Sequence, residues 1–107
     1  MQVNQTQPLQ LAAQVLEAGN LAMFRATPFN RFGWAILDRW AMNSPQALKV
    51  LEAQGAVTLF NRVLTQQRTE EDVLDRNQTL LSQGSTPMEV LAMNEVATEL
   101  APETVTP

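Results

Sequence analysis

Three Ser/Thr–Pro pairs, Thr27-Pro28, Ser44-Pro45 and Thr86-Pro87, recur between residues 8 and 100, and Gly19, Gly55 and Gly84 are spread among them. A hydroxyl residue ahead of proline is a helix start. Its side chain caps free N–H groups, and proline's set φ suits the first helical position, where no N–H is needed. Glycine just past the last turn is a helix stop. This punctuation cuts the chain into helix-length pieces, and no stretch shows the alternation of a strand. The expectation is therefore an all-α fold, a compact bundle or array of about five to six short helices in a single domain.

A first helix is predicted over residues 8–18, closed by Gly19, with Leu9, Ala12, Ala13 and Leu16 on one stripe, and residues 20–26 read as a connector or as a continuation of helix. The second opens at Thr27-Pro28 and runs to residue 43. It aligns Phe29, Phe32, Gly33, Ile36, Leu37 and Trp40 as the expected centre of the core. Ser44-Pro45 ends it and starts a third, which Gly55 closes. A fourth, over 56–67, carries Val57, Phe60, Val63 and Leu64. Thr69 followed by Glu70, Glu71 and Asp72 reads as a cap with acids in the first turn, where the helix dipole favours them, so a fifth helix is predicted to residue 83. Thr86-Pro87-Met88-Glu89 is a capping box opening a sixth that runs to residue 100. Residues 1–7 are expected to be a flexible N-terminus and 8–100 the helical domain. Residues 101–107, aperiodic with two prolines, are expected to be a disordered tail.

The chain has no Cys, no His and no Tyr. That removes the common zinc, haem and copper ligand sets, thiolate nucleophiles and histidine-based triads. The four glycines lie far apart, so there is no phosphate-cradling loop. Catalysis would have to rest on carboxylates, Lys49, arginines or hydroxyls, and no pair of acids is marked for opposed pKa values. The expectation is no enzyme, no cofactor and no metal. Apolar runs such as Leu21-Ala22-Met23-Phe24 are too short to span a membrane. No Lys or Arg precedes Arg25, so no basic leader is expected, and the cytoplasm is the default location.

Charge is polarised. Residues 1–68 hold six bases against three acids, net +3, whereas residues 69–107 hold one base against eight acids, net -7. A solvated acidic face accounts for this in the plain reading; contact with a second copy or another protein is the sharper one. Arg25, Arg31 and Arg39 are interleaved with Phe29, Phe32, Trp34 and Trp40, and Trp34 alone falls off the core stripe. It is either covered by another helix or exposed as a contact anchor beside arginine. On the sixth helix Glu95 and Glu99 form an acidic stripe, and Met88 and Leu91 fall outside the main apolar patch. Arg31, Trp34, Arg39, Met88, Leu91, Glu95 and Glu99 are thus the candidate partner-binding residues. The function expected is a non-catalytic protein–protein interaction module (a small adaptor, chaperone, inhibitor or assembly subunit) binding another protein or itself through helix faces. The alternative is a nucleic-acid-associated protein using the basic-aromatic segment 25–40, with Arg62 and Arg68 adding charge. A helix-turn-helix over residues 73–100 is disfavoured, because its second helix carries acids and no base.

Overall fold

The backbone bears out the helical punctuation in outline and departs from it where long-range polar contacts intervene. The structure, a computed structural model, describes residues 7–100, which form one all-helical globule with no strand among them. The order is a 3₁₀ turn at Ala12–Gln14, then α1 (Ala18–Met23), α2 (Arg31–Asn43), α3 (Pro45–Ala53), α4 (Ala56–Arg76), α5 (Gln78–Ser82) and α6 (Pro87–Met93). The expectations for residues 1–6 and 101–107 lie outside the described residues.

Helix α4 is the spine. It packs against α2, α3, α5 and α6, and it carries Leu59 and Val63 into one core and Val73 and Leu74 into a second. The first core gathers Trp40, Phe24, Phe29, Ile36, Leu37 and Leu48, with Phe29 making edge-on contacts to both Phe24 and Phe60. Val90 and Leu91 of α6 complete the second. The break predicted at Thr69 does not occur. The buried face of α4 runs through Leu59, Val63, Gln66, Gln67, Glu70, Val73 and Leu74 at helical spacing, so its middle is polar and its apolar periodicity lapses there without the helix ending. Glu70 is accordingly not a solvated first-turn acid: it is 4% exposed and ion-paired with Arg39.

Three other boundaries move, each for a tertiary or capping reason. The helix predicted over 8–18 shrinks to a 3₁₀ turn: Leu9 holds a left-handed φ of 68°, and both carboxylate oxygens of Asp38 accept backbone N–H groups there, from Leu9 at 2.8 Å and Ala12 at 2.9 Å. Gly19 lies inside α1 and does not stop a helix. Residues around it are held by Glu52 Oε2, which accepts from Glu17 N at 2.7 Å and Asn20 Nδ2 at 2.9 Å. Helix α2 starts at Arg31, not Pro28, because Asn30 is its cap: Oδ1 accepts from Phe32 N, and Nδ2 donates to Glu71.

At the far end, the Thr86–Glu89 capping box forms as expected, but α6 ends at Met93 and not near residue 100. Glu95 adopts a left-handed φ of 59°, Glu95 N donates to Ala92 O and Val96 N to Leu91 O. This is the same hydrogen-bond pattern that closes α5 at Gly84, where Gly84 N donates to Leu81 O and Ser85 N to Leu80 O.

Gly33 sits where α2 crosses α4. A Cβ there would collide with Gln67 Oε1 and approach Phe29 Cδ1 to 3.2 Å. Gln67 is pinned, donating Nε2 to Pro28 O at 3.0 Å and accepting Asn30 N at 3.3 Å. Gly33→Ala is therefore expected to lose about 1–3 kcal/mol in thermal unfolding from overpacking, although alanine is the better helix former. A more stable variant would mean that Gln67 swings aside freely.

Candidate protein-binding face

Helix α2 buries Gly33, Ile36, Leu37, Trp40 and Ala41. Its opposite edge presents Arg31, Ala35 and Met42, with Met42 64% exposed. This edge is a ridge between two apolar grooves. One, about 370 Å³, lies between α2 and the first turn and is walled by Pro8, Leu11, Trp34 and Met42. The other, about 450 Å³, lies between α2 and α6 and is walled by Phe32, Leu74, Pro87, Met88 and Leu91. Arg31, Ala35 and Arg39 line both.

The two arginines of the ridge differ in what they can offer. The Arg39 guanidinium is mostly buried and committed, bonding Glu70 Oε2 at 2.6 Å and the Thr98 carbonyl through Nη2 at 2.7 Å. Arg31 is exposed, its guanidinium 5.1 Å from the centre of the Phe32 ring, and among the described residues no carboxylate pairs with it. Asp38, also in the first groove, has both oxygens occupied by backbone N–H groups. Arg31 is thus a cation on this face without a carboxylate partner among the described residues. Beyond Phe32 and Leu74 the surface turns acidic, with Glu71, Asp72 and Asp75 around a further depression of about 360 Å³.

Five of the seven candidate residues converge here. Trp34 is both covered and exposed in part: its Nε1 donates inward to Phe24 O at 2.6 Å, while the ring edges the first groove. Met88, 44% exposed, lines the second groove. Leu91 is only 1% exposed and belongs to the second core, so it forms the groove floor and not a protruding contact. Glu95 and Glu99 do not join them as an acidic helical stripe, because the chain has left helical geometry after Asn94. Glu95 stays exposed, and Glu99 turns inward toward Arg39 and Asn43. Ala35, Met42, Leu11 and Pro87 were missed. Ala35 and Met42 share Arg31's helical edge at spacings of four and eleven, a period that could have revealed them.

In the basic-aromatic segment the aromatics and Arg39 are taken up by the fold, whereas Arg25 and Arg31 are exposed. Trp40 is fully buried, Arg39 is ion-paired, and Arg62 lies 4.9 Å from the Trp40 ring while donating to Gln66 Oε1. Burial pushes the Arg62 pKa below the ordinary arginine value, with Glu70 opposing the shift. Among the described residues, no three acids converge as metal ligands, and no helix is long and apolar enough to cross a membrane. Compared with known proteins, the chain matches no family model, no curated protein and no solved structure.

Proposed function

We propose that this chain is a non-catalytic protein-binding module whose partner lies along the outward edge of α2. The observation that carries the reading is the ridge itself: two apolar grooves flank a small residue, Ala35, beside the cation Arg31. Grooves on both sides of a helix edge suit an amphipathic segment, which buries apolar side chains in them and places an acid on Arg31. Met42 and Met88, one at each groove, supply adaptable contact surface. Self-association through the same face is the nearest variant, since basic and acidic rims adjoin across Phe32 and Leu74.

Ala35→Glu is expected to move the melting temperature by no more than about 2–4 °C, the range of an exposed helical substitution in a domain of this size. It is also expected to weaken partner binding by about tenfold or more by placing charge at the centre of the contact. The measurement is affinity capture from the native host followed by titration of the recovered partner, with light scattering over a concentration and salt series for the self-associating case. Full binding by a folded Ala35→Glu chain would remove this face from consideration.

A further inference from the structure

The polar centre of α4 does more than bury charge. After α6 the chain runs without helix across the middle of α2 and α4, and its backbone is captured by side chains. The Thr98 carbonyl accepts Arg39 Nε at 2.9 Å, Arg39 Nη2 at 2.7 Å and Trp40 Nε1 at 2.9 Å, and the Ala97 carbonyl accepts Gln66 Nε2 at 2.7 Å. These donors are set by groups outside the captured segment. Glu70 Oε2 takes Arg39 Nη2 at 2.6 Å and Gln66 Nε2 at 2.7 Å, and Arg62 Nη1 fixes Gln66 Oε1 at 2.9 Å. A cleft whose donors are held by its own walls is preorganised for a main chain, whichever chain supplies it.

The side chains of the captured segment define what else is read. Val96 packs on the second core and Leu100 on the first. Ala97 is exposed, so its position is read through the backbone. Glu99 Oε2 meets Asn43 Nδ2 at 3.2 Å and Arg39 Nε at 3.6 Å. The pattern is an apolar residue, two residues read mainly as carbonyls, an acid and a second apolar residue. The cis fit is imperfect: Glu99 Oε1 is buried without a hydrogen-bond partner among the described residues, and Glu95, at the joint, holds a left-handed backbone.

We propose that the α2–α4 cleft is a receptor for an extended acidic peptide of this pattern. Residues 96–100 fill it in cis, and a partner protein's segment of the same pattern displaces them. It uses carbonyl capture where the ridge uses apolar grooves; Arg39 belongs to both surfaces, and a peptide titration on a chain that keeps Ala35 tests the cleft separately from the ridge.

The test uses the isotope-labelled full chain titrated to millimolar with a capped peptide copying residues 95–100. Controls are a scrambled peptide and one with the Glu99 position replaced by Lys. Val96→Asp loosens the cis segment without altering a donor, and Val96→Ala is the milder second variant. The cis segment competes at the high effective concentration of a short tether, so the Val96→Asp chain is expected to bind the ordered peptide about tenfold more tightly than the unsubstituted chain. The shifts should fall on the N–H signals of Arg39, Trp40 and Gln66, and neither control peptide should produce them. The proposal is overturned if ordered and scrambled peptides act alike, or neither acts, on whichever Val96 variant unfolds cooperatively.

Discussion

Glu70→Ala is expected to lower folding stability by about 3–5 kcal/mol, the loss that follows when one partner of a buried ion pair is removed. The Glu70 side chain is 5% exposed and that of Arg39 15%, so the guanidinium left behind has little water to replace its partner. The loss extends beyond the pair. Gln66 Nε2 donates to the same carboxylate oxygen, and through Arg39 and Gln66 the carbonyls of residues 97 and 98 are held. Denaturant unfolding measures this as a lower midpoint with an unchanged slope. The double variant Arg39→Leu, Glu70→Leu is expected to lose less than the two single variants added together, because both members of the buried pair go at once and only the more exposed Glu99 and Arg62 lose a partner. Additive losses would mean that the two groups act independently despite their 2.6 Å contact.

Trp40→Ala is the second large effect, also about 3–5 kcal/mol, for a buried aromatic whose cavity the surroundings cannot fill. Trp40 is fully buried in the first core, Arg62 lies over its ring, and its Nε1 donates to Thr98 O. Trp40→Phe separates ring from hydrogen bond. It keeps much of the aromatic bulk and loses the N–H, and Thr98 O retains both Arg39 donors. A clearly smaller loss than for alanine is expected in thermal unfolding. Equal losses would show that the bond to Thr98, and not the buried ring, carries the effect.

Both residues show how far the fold could be read in advance. Trp40 sat on a clear helical stripe with Ile36 and Leu37, and all three are core residues. Glu70 followed Thr69 and preceded two more acids, a local pattern that fits a helix start. Nothing within a turn of it signalled Arg39, which lies 31 positions away. The candidate face was legible in the same uneven way. Arg31, Trp34 and Met88 lie on the grooves, but Leu91 was displaced to the floor because α6 packs it against Val73 and Leu74. The acidic stripe failed on one residue. Gly84 marked the end of α5, whereas Glu95 makes the same left-handed turn with a side chain that gives no such signal.

What the sequence alone determined is the all-helical class and those boundaries whose chemistry is local: Pro45 opening α3, Gly55 and Gly84 at positive φ, and the Thr86–Glu89 box. Their determinants lie within one helical turn, so they act before any tertiary contact exists. What the tertiary structure decided is where polar groups could be buried. That choice made α4 continuous through Gln66, Gln67 and Glu70, turned the first segment onto Asp38, and drew residues 97–99 onto α2 and α4. A buried carboxylate or amide is tolerated only when its partners are in place. Here many of those partners lie from 26 to 59 residues away, beyond what local periodicity or capping can encode.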